Sequence, residues 1–173
     1  KRGMKKCRIL MKKIYHNTQL AILAAPAHIF DIIYNMPKKF PVYTILESRP
    51  FLFVRLLLVG GFRTALEGTV RGLPHENLVL HIDDSMGPFT LTECEKPQTY
   101  MFILRSFFFN CKTGYSLEEG DGKTILNFEL MAANPSPAER AWWFFVKPVH
   151  VLLARKVLKN IKVMAERQQD RNK

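Results

Sequence analysis

The stretch Ser136 to Arg167, SPAERAWWFFVKPVHVLLARKVLKNIKVMAER, constrains this chain more than any other. Ser136 suits an N-cap, Pro137 suits the first helical position, and Glu139 completes an S-x-x-E capping box. Apolar residues then recur at helical spacing: Trp142, Phe145, Val146, Val149, Leu152, Leu153, Val157, Ile161, Met164 and Ala165. That spacing predicts one buried face. Arg155, Lys159, Lys162 and Glu166 mark the opposite side. Pro148 lies inside the run, and its missing N–H and its ring predict a kink or break near Lys147. A long one-sided helix needs a broad apolar surface to lie on, and the preceding chain supplies strand-like segments.

Asn17–Ala24 reads as a strand that stops at Ala25-Pro26. Pro26 opens a short helix with Ile29, Ile32 and Ile33 on one face. Pro37 and Pro41 bracket a turn, and residues 42–59 fit either two short helices broken at Pro50 or a helix and a strand. Beyond Gly60-Gly61 the period changes. Arg63–Arg71, Asn77–Asp84, Phe89–Glu95, Gln98–Asn110, Thr113–Glu119 and Thr124–Met131 read as strands. In Asn77–Asp84, Leu78, Leu80 and Ile82 alternate with Val79 and His81. Gln98–Asn110 is apolar on both faces, with Tyr100, Phe102, Leu104 and Phe108 against Met101, Ile103, Phe107 and Phe109. Gly120-Asp121-Gly122 is the strongest hairpin signal. The short turns predict an antiparallel meander. The expected class is α+β: a curved antiparallel sheet of about seven strands around the C-terminal helix, with one or two short helices between strands 1 and 2. A sheet curved beyond the helix radius leaves a gap lined by apolar side chains.

At 173 residues the chain is long enough for one domain with a real core. Residues 1–13 read as a basic mobile tail and residues 14–169 as a single ligand-binding domain. The net charge of +11 is uneven. Lys1, Arg2, Lys5, Lys6, Arg8, Lys12 and Lys13 crowd the start, the terminal helix is basic, and the body between is slightly acidic. Basic ends suit an anionic surface, although a solvated tail and a solvated helix face are the plainer reading. Nucleic acid is disfavoured, because no recognition motif is present and the bases lack interleaved aromatics outside the helix. Cys7, Cys94 and Cys111 have no metal-ligand spacing, and pairing of Cys94 with Cys111 is left open. A cytoplasmic protein with peripheral membrane contact is expected. No segment reaches the ~20 apolar residues that cross a bilayer.

Several segments look like those of a known superfamily. QLAILAAPAHIFDIIYNM is similar to its first strand and proline-led helix, and TECEKPQTYMFIL to its acid–proline–apolar-strand segment. LEEGDGKTILNFEL is similar to its last hairpin, and VLLARKVLKNIKVMAERQ to its C-terminal helix. In this order they resemble the START-like helix-grip proteins, over roughly residues 17–168. That group includes polyketide cyclases and aromatases, lipid-transfer domains, coenzyme Q-binding proteins and pollen-allergen-like proteins. The resemblance implies an apolar ligand such as a lipid, sterol, quinone or polyketide chain. A fold does not fix a function. Residues 42–61 are longer and more apolar than the usual connection, and WFFVKPVH puts a proline into a helix that is often continuous. The ligand class is therefore not carried over.

The residues expected to line the ligand site are Leu80, Ile82, Tyr100, Phe102, Leu104, Arg105, Leu126, Phe128, Trp142, Phe145, Val149 and Leu152. A buried Arg105 would grip a carboxylate or phosphate, although pairing with Glu93 or Glu67 is its plainer role. His16, His28, His75, His81 and His150 are the proton-transfer candidates. For His150 the plainer reading is a satisfied helix histidine. No nucleophile–base pair or glycine-rich phosphate loop is visible, and no cofactor or metal is expected. Trp143 and Phe144 are expected to face outward, to be covered by residues 42–61, a second subunit or a membrane interface. Lys5, Lys6, Lys12, Lys13 and Lys147 are the expected contacts to anionic lipid. A homodimer is left open. The leading function is non-catalytic binding or carriage of a small apolar ligand. The alternative is a cyclase or aromatase-type enzyme using Arg105, Tyr100 or His150.

Overall fold

The computed structural model describes residues 13–37, 77–86, 88–105 and 109–171, together with residue 49. The readings for residues 1–12, 42–59 and 63–71, and for Glu67, His75, Phe107 and Phe108, lie outside the described residues.

The chain opens with β1 (Ile14–Ile22) and α1 (Pro26–Tyr34). Two short strands, β2 (Met36–Pro37) and β3 (Asn77–Leu78), pair with each other. Then come β4 (Ser85–Met86), β5 (Phe89–Glu95), β6 (Thr99–Arg105), β7 (Asn110–Gly120) and β8 (Lys123–Ala132). The long helix α2 (Pro137–Arg171) closes the described chain. The main sheet is antiparallel, in the order β1-β8-β7-β6-β5-β4. It has six strands among the described residues, where the sequence suggested about seven.

Local chemistry explains most element ends. Asp121 and Gly122 both have positive φ, at 48° and 70°, so the β7–β8 turn twists with its strands. Gly114 faces β6 so closely that a Cβ there would lie 2.2 Å from the Tyr100 carbonyl oxygen. The expected capping box forms: the Ser136 N–H donates to Glu139 Oε2 at 2.7 Å, and the Glu139 N–H donates to Ser136 Oγ at 3.2 Å. α1 buries Ile29, Phe30, Ile32 and Ile33.

The pleat sorts the sheet's side chains into cross-strand rows. His16, Leu130, Thr113, Phe102 and Leu91 form one row, and Thr18, Phe128, Tyr115, Tyr100 and Cys94 the next. This face looks toward α1 and α2. One core cluster joins Ile22, Leu91, Tyr100, Tyr115, Leu117 and Leu126 to α1 and to Val157, Leu158, Ile161 and Ala165 of α2. A second joins Phe109, Cys111, Leu130 and Ala132 to Trp143 at the start of α2. The α2 backbone runs closest to β1 and α1.

Three expectations are corrected. Asn77–Asp84 is not one strand: the chain turns at Asp83, where φ is 74°, and Asp84 accepts the His81 N–H at 2.8 Å. Gln98–Asn110 is not one strand either, because Arg105 pairs with Asn110 across the β6–β7 hairpin. α2 runs through Pro148 without a break, and its buried stripe is Trp143, Ala154, Val157, Leu158, Ile161 and Ala165. The sequence reading had instead placed Phe145, Val149 and Leu152 inward and Trp143 outward. Trp143 is 9% exposed, whereas Phe145 is 75% and Leu152 68% exposed. Much of the first half of α2 is apolar all round, so hydrophobic spacing does not fix its phase.

Candidate functional site

The concave face carries both core clusters, and several of its side chains are only partly buried. Phe102 lies in β6 and Phe128 in β8, both interior strands, yet both rings remain half-buried rather than buried. Phe102 meets Phe89 and Tyr100 edge-on, at 6.5 and 5.0 Å between centroids. Phe128 meets Tyr115 at 5.1 Å and the imidazole of His150 at 5.6 Å. Leu153 of α2 is half-buried and packs on the same side. Phe102, Phe128 and Leu153 all pack against the first cluster, between sheet and helix.

A run of aromatic and imidazole rings lies beside them. From Phe109 the rings continue through Trp143 to His150, with His16 of β1 beside both. The His16 and His150 rings are 5.5 Å apart. His16 Nε2 lies 3.1 Å from Thr18 Oγ1. His150 Nε2 is buried without a hydrogen-bond partner among the described residues, so this is not the satisfied histidine the sequence suggested. Burial first, and then the neighbouring His16, pushes the His150 pKa down to about 4. His16 is lowered as well, by burial first and then by Lys147 and Arg155. Both imidazoles are therefore uncharged at neutral pH, and this run of rings behaves as an apolar surface with polar atoms held inside it.

The sequence-predicted residues divide. Tyr100, Phe102, Leu104, Leu126 and Phe128 share the concave face, and Leu80 packs against the first cluster. Tyr100 and Leu126 are buried in that cluster. Leu104 and Trp142 belong to the second cluster, where Trp142 stacks on Phe109 at 5.5 Å. The structure does not bring the others to this face. Ile82 is 57% exposed beyond the Asp83 turn, and Phe145, Val149 and Leu152 lie on the outer side of α2. Arg105 is exposed and shares the opposite sheet face with Met101 and Ile103, because the pleat alternates. Glu93 pairs with Lys112 at 2.6 Å. Sequence reasoning missed Thr113 and Tyr115, offered His16 only as a proton-transfer candidate, and placed Trp143 outward. The alternation from Ile14 through His16, Thr18, Leu20 and Ile22 was the available signal for His16.

Other chemistry is limited. Cys94 and Cys111 are free thiols. Burial first and Glu139 second push the Cys111 thiol up to about 12, which keeps it protonated. Among the described residues no cluster of His, Cys, Asp and Glu is arranged to hold a metal. A separate open cleft of about 770 Å³ lies between the β1–α1 connection, the β7–β8 turn and α2. Leu23, Pro26, Glu119, Lys123, Lys162 and Glu166 line it, and none of the expected ligand residues does.

No protein-family model matches this chain, and no curated protein does. Among solved structures, the crystal structure of protein Ms6760 from Mycobacterium smegmatis is similar at a TM-score of 0.51 and 14% identity, over 89% of this chain and 92% of that one. The fold is a helix grip. Other helix-grip resemblances are weaker. The Aha1 dimer from Colwellia psychrerythraea aligns at a TM-score of 0.37 and 13% identity, over 82% of this chain and 96% of that one. Ara h 8.0201 aligns at 0.38 and 12% identity, over 89% and 98%. Likeness at these levels concerns the helix-grip fold alone.

Proposed function

We propose that this protein binds a small apolar ligand, of the size and character of a lipid, quinone or polyketide chain, between the concave sheet face and α2. The observation that carries this reading is the half-buried state of Phe102 and Phe128. Both lie on interior strands, on the face that packs against the helices. Interiors normally close-pack, so aromatic rings left partly accessible on such a face favour an occupant. The uncharged His16 and His150 suit the same occupant, since neither carries a charge at neutral pH.

The test is native mass spectrometry of gently purified protein, followed by organic extraction and titration with 1-anilinonaphthalene-8-sulfonate. A co-purified apolar molecule is expected, or saturable dye binding that Phe128→Trp weakens by filling the site. An apo mass with no saturable dye binding would overturn the reading.

A further inference from the structure

We propose that the outward face of α2 docks on an anionic lipid surface, with Phe144, Phe145 and Leu152 entering the headgroup region and the basic residues beyond them contacting lipid phosphates. This rests on a different side of the helix from the proposed ligand site and stands or falls separately.

The apolar part is exposed in the folded chain. Phe144 and Phe145 are each 75% exposed and touch each other edge-on at 5.6 Å. Leu152 is 68% exposed. Phe145, Pro148, Leu152 and Lys159 recur at spacings of three, four and seven, so they share one line along the helix. Phe144 and Arg155 flank that line on one side, and Val149 and Lys156 on the other. A soluble helix rarely presents two adjacent phenylalanines and a leucine on its outermost line without a use for them.

Charge identifies the occupant. From Arg140 through Ala165 the sequence holds no Asp or Glu. Lys147, Arg155, Lys156 and Lys159 are all exposed in that interval. A second copy that met this face with its own α2 would offer no counter-charge, whereas a partner that brings negative charge and an apolar layer together fits both halves of the face. An anionic bilayer interface has both, and an amphipathic helix lying in its plane uses aromatics and bases in this combination. Among the described residues no helix is long and apolar enough to cross a membrane, which fits a helix that lies on the surface. Each base near an anionic surface strengthens attachment roughly fivefold.

The experiment is co-sedimentation of the full chain with phosphatidylcholine vesicles, with and without phosphatidylglycerol. Sedimentation is expected with the anionic vesicles only, falling as salt is raised. Phe144→Ser with Phe145→Ser should weaken it about tenfold or more. Arg155→Gln, Lys156→Gln and Lys159→Gln together should weaken it roughly a hundredfold. All five positions are exposed, and circular dichroism checks that each variant folds. Equal sedimentation with neutral and anionic vesicles would overturn the proposal. So would anionic binding that the glutamine variant leaves intact, since the basic amino terminus would then carry it. A vesicle-independent dimer abolished by the serine pair would also overturn it, in favour of a second copy.

Discussion

The imidazole of His150 packs against the ring of Phe128, with centroids 5.6 Å apart and planes 28° from parallel. The contact fastens α2 to β8, and it is made by a histidine that must stay neutral to remain there.

Acid should therefore loosen the grip. His150 titrates at about 4 when folded, against an ordinary 6.5 when unfolded. Between these values the unfolded chain binds more protons. The stability is full above about pH 6.5 and is lost as pH falls toward 4, by roughly 3 kcal/mol. His16 shifts in the same direction and adds to the trend. Urea midpoints measured at about pH 7 and pH 4.5 should differ clearly for the native chain and much less for His150→Leu. An unchanged difference in the variant would remove His150 from the account.

Gly114 sets how near β6 and β7 can come. A Cβ there would meet the Tyr100 carbonyl at 2.2 Å and Met101 Cα at 2.7 Å, both backbone atoms that cannot swing aside. Gly114→Ala should cost about 1–3 kcal/mol, or prevent folding, and thermal denaturation would show it.

Thr124 is 1% exposed and donates its hydroxyl to the Ala24 carbonyl at 2.6 Å, pinning the β1–α1 connection to β8. Thr124→Val keeps the shape and leaves that carbonyl unsatisfied, for a loss of about 1–3 kcal/mol. Thr124→Ser should recover part of the loss. Equal stability in the two variants would mean that the bond contributes nothing.

Ser136 and Glu139 satisfy each other's backbone N–H groups, and Glu139 also accepts the Asn110 N–H at 3.2 Å. Ser136→Ala should cost about 1 kcal/mol. Combined with Glu139→Gln, the two losses should fall short of additive in a double-mutant cycle, because they share one motif.

Cys111 should resist thiol reagents in the folded chain, since its pKa of about 12 leaves almost no thiolate. Ellman titration of the native protein and of Cys111→Ser should give the same labelling rate, and only denaturant should reveal the extra thiol. Prompt labelling lost in the variant would contradict the buried position.

Much of this architecture was legible because its signals are local. The proline opening α1, the Gly-Asp-Gly hairpin and the Ser136–Glu139 box each depend on residues within one turn. The concave set Tyr100, Phe102, Leu104, Leu126 and Phe128 followed from strict alternation. That same alternation already excluded Arg105, which occupies an odd position among even ones and was retained for its chemistry. The β6–β7 reversal was hidden because SFFFN carries no glycine or proline. The face of α2 was misjudged because burial there is marked by His150 and Ala154, which a hydrophobicity count passes over. His16 and Thr18 likewise broke the apolar pattern of a strand whose inner face they occupy.

Pro148 has one further consequence. Lacking an N–H, it leaves the Phe144 carbonyl without its usual helical donor, and that carbonyl belongs to the residue at the edge of the exposed aromatic line. An oxygen in need of a donor cannot be carried into hydrocarbon without several kcal/mol of cost. In the proposed docking it would act as a depth gauge: the phenylalanine rings would descend, and the backbone beneath them would stop where water still reaches.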